Sequence, residues 1–559
     1  MSDLLAQDPV SGYKNIYKEA FAGSAEAFFD QAVKAGGVDP ELNFKQAREL
    51  DHLYSQQEKY DGRKALWILL LCLLVIGWIV WGICLWCKAA EGELHIVLFS
   101  LYTVAAIVFI FAKIVPELKR ISGYLKELEK EISRKYAAAV EHLMGLYDSF
   151  GWDTFTDLIT QVIPQLKFDD FLSLQRVEDF RKNFGLRIAD EDFSTMTNSH
   201  SGSFYGYPFI FTEDVNFKWG EKVWSGSLTV TYTQWITDSE GKRRSVQRVE
   251  VLIASVTRPY PEFHTVKNFF FGHDAAPELS YSRTPSSLSG ESGFFTTLGK
   301  KYRMYKLRKF ERNLTDESQF TMMSNRDFEL YYKSENRNDE IGFRLLFTPL
   351  AQQYMVTLLN DKETGFGDDF ALEKSSKVTR IMAVHLNETQ FVRAPFFTEM
   401  YDLEKIRKSF LEESAHFFRS LYFTFAPLFL IPLYNEPRSD AMEVEECITI
   451  SQNELEGAAN FYASHYAHPA SVTENYFNIE GFHKIPGGVA ATVRAVGFEG
   501  IPQVEHVPRV AGNGSVYLVP VPYTEYLEVV KETPIYAWRE KYVPPEAEIL
   551  FRRRGIAFG

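Results

Sequence analysis

Cysteine is scarce: the 559-residue chain has 4, and Cys72, Cys84 and Cys87 fall within one apolar run while Cys447 stands alone. No disulfide framework can therefore brace the rest of the chain, which fits a reducing compartment. An excess of basic charge is also lacking. With 60 Lys and Arg against 74 Asp and Glu, the net charge is −14. That balance argues against general nucleic-acid binding, which needs a basic surface. Catalytic signatures are absent too. No HExxH, GxSxG or dinucleotide fingerprint occurs, which removes the sequence-readable metalloprotease, serine hydrolase and nucleotide-cofactor classes; the CxxC spacing of Cys84 and Cys87 falls inside an apolar run and has no second pair. GFFTTLGKK (293–301) resembles a phosphate loop, but it has one residue too many between its glycines. Lys301 also stands where Ser or Thr should hold Mg²⁺. The chain opens without a secretory pattern: a long polar segment precedes an apolar run that exceeds an h-region.

Long apolar runs are what the sequence does have. Ala65–Cys87 (ALWILLLCLLVIGWIVWGICLWC) carries no charge, and Leu94–Ala112 (LHIVLFSLYTVAAIVFIFA) holds only His95 at its edge. A bilayer core of about 30 Å needs roughly 20 apolar residues at the helical rise. Both runs are apolar all round, unlike the one-sided helices of a soluble surface. They are read as two spans forming a tight hairpin through the link Lys88–Glu93. Lys59, Arg63 and Lys64 precede the first run and Lys113, Lys119 and Arg120 follow the second. This charge bias places both termini in the cytoplasm of a multi-pass protein of the cell membrane. Trp86 and Tyr102 suit interface anchors; Trp78 and Trp81 suit packing or lipid contact.

The flanks continue the helices. Leu118, Ile121, Leu125, Leu128 and Ile132 repeat at 3, 4, 3, 4, an a/d seam. Leu50, Leu53, Gln57 and Tyr60 lead into the first run at similar spacing. The seam pairs either with that helix within the chain, as an antiparallel stalk, or between subunits. Pro116 marks a kink. Residues 14–35 form an amphipathic helix with Phe21, Phe28, Phe29 and Val33 near one face, packing on protein or lying on a membrane surface.

Beyond a helix at Asp153–Gln165 the pattern turns to strand. Leu228, Val230 and Tyr232 alternate with Thr229, Thr231 and Thr233, and a DSEGK turn follows, giving a long antiparallel hairpin with one buried face. TPSSLSGESG (284–293) reads as a surface loop. Residues 327–361 read as strand, turn, strand, then helix from Pro349; KVTRIMAVHL reads as a strand and EKIRKSFLEESAHFFRSLYF as a helix. SLYFTFAPLFLIPLY (420–434), interrupted by Pro427 and Pro432, is a buried core segment or a membrane-dipping piece. After the polar run NEPRSDAMEVEE, a β-rich unit contains AATVRAVGF and SVYLVPV, followed by a short helix with Glu525, Val529 and Val530.

The block FELYYKSENRNDEIGFRLLFTPLAQQYMVTLL, through Phe328, Leu330, Tyr331, Arg344, Leu345, Leu346, Thr348 and Pro349, resembles the signature of a bacterial domain family of unknown function. Members of that family carry two transmembrane helices ahead of a cytoplasmic domain. The likeness covers roughly 50–400 and departs at the polar turn Lys333–Asp339 and throughout the C-terminal part. It implies a topology, with the bacterial inner membrane as the site, and brings no catalytic residues.

Few residues stand out as candidate sites. Asp368 and Asp369 in GFGDDF could hold a hard cation or serve as a helix N-cap or solvated turn. His465, His468 and His483 could take zinc or be structural. Arg552, Arg553 and Arg554 form either a lipid-headgroup contact or a solvated basic tail. No catalytic residue, cofactor or metal ligand is assigned.

The expected fold class is α+β, with cytoplasmic helices at 1–64, a transmembrane hairpin at 65–114 and a helical stalk at 115–150. A cytoplasmic domain with antiparallel sheet covers 151–435 and a small β-rich unit 436–559. The expected function is a membrane-anchored interaction or scaffold protein. Its partners are the lipid bilayer and a protein or second copy, not nucleic acid. The alternatives are a membrane-tethered enzyme with a motif-free site, hydrolytic in one version, and an accessory subunit of a transport system. Almost no polar residues line the runs, which weighs against the transport role.

Overall fold

The computed structural model describes residues 8–86, 93–186, 194–237, 242–286, 288–289, 294–312, 320–389, 400–441 and 449–559. Cys87 and the link residues 88–92, the turn residues 238–241, the loop residues 287 and 290–293, and Cys447 lie outside them. Contacts divide the chain into two compact units. One comprises 25–151 with 394–413, the other 1–24, 152–393 and 414–559.

The first unit is helical. Pro40–Trp86 is one continuous helix; Glu93–Phe109 leads through a wider i→i+5 turn at Ile110–Ile114 into the helix Val115–Tyr147. That turn lies just before Pro116, where proline cannot donate to a regular ladder. The two long helices run antiparallel. The Tyr60 ring lies tilted against Tyr124 at 4.5 Å, Glu49 pairs with Lys135, and His142 accepts from the Asp39 backbone N–H at 3.1 Å. Ile121, Leu125, Leu128 and Ile132 are buried, with Leu128 and Ile132 in one cluster with Leu50. Of the two seam pairings, the intramolecular one is therefore formed. At its end a Cβ on Gly36 or Gly145 would fall within 2.5 Å of the facing backbone, so the two chains cross where neither has a side chain. Phe410 packs on Phe28, Phe29 and Phe150 at 5.8, 5.6 and 5.3 Å.

Among the described residues, two helices are long and apolar enough to cross a membrane, by length and composition, and their most apolar windows are 0% and 6% buried. Trp78 donates to the Thr103 hydroxyl at 3.1 Å and Tyr102 to the Leu74 carbonyl at 3.0 Å. Tyr102 thus bonds the middle of the neighbouring run.

The second unit holds two antiparallel sheets. In the first, β1 (Leu166–Phe168), β2 (Ser194–Phe204), β3 (Tyr207–Thr237), β4 (Arg243–Gly272), β5 (Ser280–Arg283), β6 (Phe370–Ser375) and β7 (Val378–Ala383) follow the order β1-β2-β3-β4-β7-β6-β5. The second contains β8 (Tyr476–Ile485), β9 (Gly488–Val510), β10 (Val516–Arg539), β11 (Phe551–Arg553) and β12 (Ile556–Phe558), ordered β11-β12-β10-β9-β8. The α+β class holds. Residues 420–434 are core: the helix Leu403–Phe429 carries Pro427 within it, and Phe425, fully buried, packs on Phe209, Phe211 and Phe269 at 5.2, 5.8 and 4.6 Å.

Several local expectations are corrected. Residues 327–346 are helical, as Arg326–Tyr332 and Glu340–Leu346, because Asn325 and Asp339 cap those helices with their side chains. Short apolar runs do not distinguish a buried strand from a buried helix. The helix expected around Glu525, Val529 and Val530 is instead part of β10, paired residue for residue with β9. In the loop 284–293, Ser286 and Ser289 are buried at 5% and 4%.

Candidate functional site

GFGDDF joins two buried polar networks. Asp368 accepts from Arg283 at 2.5 Å, the Ser286 backbone N–H at 2.7 Å and the Ser289 hydroxyl at 3.3 Å. Arg283 also donates to the carbonyls of Phe370 and Tyr332 at 2.7 and 3.2 Å. Asp369 lies 2.6 Å from Nδ1 of His385, whose Nε2 faces the Ser420 carbonyl and the Thr424 hydroxyl, each at 3.0 Å. Acid, imidazole and hydroxyl stand in the order of a nucleophilic triad. Access is closed, however: Thr424 is 1% exposed and the Phe366 ring stacks on His385 at 4.1 Å. Asp368, its side chain 1% exposed, acts as a core polar group. Asp369, 19% exposed, also accepts from the His385 backbone N–H at 3.1 Å and so caps the first turn of Val384–Glu388.

The terminal arginines are likewise not a tail. Arg553 and Arg554 are 3% and 4% exposed. Arg553 donates to Asn198 at 2.9 Å, and Arg554 to the Ser199 carbonyl at 2.7 Å. Both approach Glu454, at 3.8 and 3.5 Å. Their place on the turn between β11 and β12 brings them inward, so lipid contact and a solvated tail are both overturned for these two; Arg552 faces Glu540 at 3.7 Å. In the resembling block, Arg337 of the turn Lys333–Asp339 is buried between the rings of Phe320 and Phe343 and bonds Glu329 and Glu340 at 2.8 and 2.7 Å.

His465, His468 and His483 are not gathered. The His468 ring accepts from the Ala470 backbone N–H at 3.2 Å and His483 faces the Gly481 carbonyl at 2.7 Å. Among the described residues, no group of three or more His, Cys, Asp or Glu could hold a metal ion. His465 instead lines a groove of about 590 Å³ with Pro534, Tyr536, Trp538 and the stretch Pro544–Leu550. Its floor is one face of β10: Pro534, Tyr536 and Trp538 alternate, opposite Thr492, Ala490 and Gly488 of β9. These small partners leave room for the rings, and Trp538 lies so close over Gly488 that a Cβ there would come within 2.7 Å of it. Periodicity of two does mark this face in the sequence, but the expected helix at 525–530 hid the strand that carries it. A smaller cavity of about 50 Å³ is lined by Asp8, Tyr17, Tyr205 and Tyr422; burial raises the Asp8 pKa above the usual carboxylate range.

A second feature lies on the sheets. β2 leaves β3 at Asn216 and β7 pairs with β4 only over Phe269–Gly272, so most of the β3–β4 hairpin is a two-stranded ribbon. The distal half of β9–β10 is another. Their inner faces pack through Val230, Leu252, Ala254, Ala511, Val519 and Val521. Gly226 permits the closest approach: a Cβ there would meet the Pro520 carbonyl at 2.0 Å. On the outer face of the β3–β4 ribbon, Val223, Ser225, Ser227, Thr229, Thr231, Thr233 and Trp235 oppose Thr257, Ser255, Ile253, Val251, Val249, Gln247 and Ser245. All are exposed and none is charged, whereas Glu250 and Arg258 point to the inner side, bonding Tyr232 and Glu505.

No protein-family model, curated protein or solved structure matches this chain.

Proposed function

We propose that this is a membrane-anchored interaction protein: two helices hold it in the cell membrane with both ends cytoplasmic, and its paired ribbons dock protein. The observation carrying this reading is the outer face of the β3–β4 ribbon. In a chain with 24% charged residues, Val249, Val251 and Ile253 are 68%, 57% and 66% exposed within a stretch of that face that carries no charge between Glu221 and Arg243 at its two ends. Long uncharged ribbons left in water are aggregation templates, and proteins guard them with lysines or cover them. This one has charges only at its ends, at Glu221 and Arg243. The uncharged stretch is about 43 Å long at the rise of a strand, and it meets no like-charge repulsion across a two-fold axis. A second copy is therefore its occupant. The two apolar helix windows, only 0% and 6% buried, support the anchor, since helices apolar all round have no soluble partner there.

The test is the mass of the full chain in detergent, by light scattering, beside Val251→Lys with Ile253→Lys. The wild type should be at least dimeric and the variant monomeric with an unchanged far-UV spectrum. A monomeric wild type, or an oligomer indifferent to the two lysines, refutes the assignment. Reporters fused at each end test the topology separately.

A further inference from the structure

The groove beside β10 is independent of the ribbon faces and has a chemistry of its own. Its floor presents Pro534 and Tyr536, with Trp538 stacked alongside Tyr536 at 5.9 Å and 12°. Tyr536 is 41% exposed although it is aromatic, and Trp538 is 8% exposed with one edge toward the groove. The opposite wall carries Pro544 together with Glu546 and Glu548, both exposed. Neither glutamate has an ion-pair partner among the described residues. The volume of about 590 Å³ lies within the range of formed ligand sites and suits several residues of an extended peptide, not a metal or a single small anion.

We infer that this groove binds an extended, proline-containing peptide segment bearing a basic residue. The exposed Tyr536 ring, with Pro534 and Pro544 in the same lining, suits the ridge of a polyproline II helix, which is already ordered and loses little entropy on docking. The unpaired Glu546 and Glu548 fix the sign of the charge. An arginine leaving the proline ridge meets a carboxylate on one side and a ring face on the other, both of which attract a guanidinium. An acidic peptide would be repelled by the same pair, in a protein already at −14.

The probe is a fluorescein-labelled decapeptide of repeating Pro-Pro-Arg, with its Pro-Pro-Glu counterpart, titrated by anisotropy into the purified full chain in detergent. The Arg peptide should saturate and weaken as salt is raised, and the Glu peptide should bind at least about tenfold more weakly. Glu546→Gln with Glu548→Gln should lower affinity about tenfold and flatten the salt dependence, whereas Tyr536→Ala should lower affinity while leaving that dependence in place. These side chains are exposed, so the variants should keep the wild-type Tm. Absence of saturable binding by the Arg peptide, equal binding of the Glu peptide, or binding that ignores both sets of variants would overturn the assignment. Each readout is independent of the oligomeric state.

Discussion

Arg283 and Asp368 form an ion pair 2.5 Å long in which the two side chains are 0% and 1% exposed. β5 supplies the base, and the acid comes from the loop before β6. The pair thus ties together segments 85 residues apart. Phe370 covers the guanidinium from one side, with the ring centroid 4.5 Å away.

Asp368→Asn should be strongly destabilising. It keeps the shape but leaves Arg283 charged among carbonyls alone, and an uncompensated buried charge costs about 3–5 kcal/mol. Arg283→Met with Asp368→Leu should cost less, because it removes both charges. Urea midpoints of the three proteins test this; a loss below about 1 kcal/mol in Asp368→Asn would show that water reaches the pair.

His273 predicts a pH dependence. The ring is 4% exposed, lies 3.8 Å from the Tyr207 ring and accepts from the Ala275 backbone N–H at 2.9 Å. Burial, helped by nearby Lys374, lowers its pKa from 6.5 to about 3. The folded value is below the unfolded one, so between these pH values the unfolded chain binds more protons. Stability is complete above pH 6.5 and is lost as pH falls toward 3, by about 3 kcal/mol at pH 4. His273→Gln should flatten that part of the curve. An unchanged slope between pH 6 and 4 would assign the acid sensitivity to other groups.

The parts legible in the sequence are those with one unambiguous period. The charge-free runs, the 3-4 seam at Leu118–Ile132 and the Leu228–Tyr232 alternation each specify an element by spacing alone. Residues 327–346 were not legible this way: Phe328, Leu330 and Tyr331 suit either state, and the decision came from caps at Asn325 and Asp339. The candidate sites depended on long-range pairing, which no local pattern contains. Asp368 meets Arg283 and Arg554 meets Ser199 only after the strands are placed. The groove was missed because its floor alternates Pro534, Tyr536 and Trp538 within a strand that its three prolines, Pro520, Pro522 and Pro534, made hard to read as one.

Leu125 and Leu128 are 8% and 4% exposed. Leu125→Asp or Leu128→Asp buries a carboxylate against the apolar face of Pro40–Trp86, costing several kcal/mol unless it takes up a proton. Each variant should melt earlier than wild type, followed by circular dichroism at 222 nm. Melting unchanged in both would mean that the helices do not pack through this seam.

The mini-core between the ribbons and the outer face of the β3–β4 ribbon should respond oppositely. Val519, fully buried in the mini-core between the ribbons, also contacts the layer containing Val230 and Leu252. Val519→Ala removes two methyl groups from a filled site and should cost roughly 1–3 kcal/mol. Val249 is 68% exposed on the outer face of the β3–β4 ribbon, so Val249→Thr, of nearly the same shape, should leave the unfolding free energy of the isolated protomer within about 0.5 kcal/mol of wild type. The same change should still weaken association, because only the assembled state removes that side chain from water. Protein-concentration series separate the two quantities. Loss of protomer stability in Val249→Thr would place the outer face within the core of the chain, and a Val519→Ala variant with full stability would mean that the ribbons do not pack on one another.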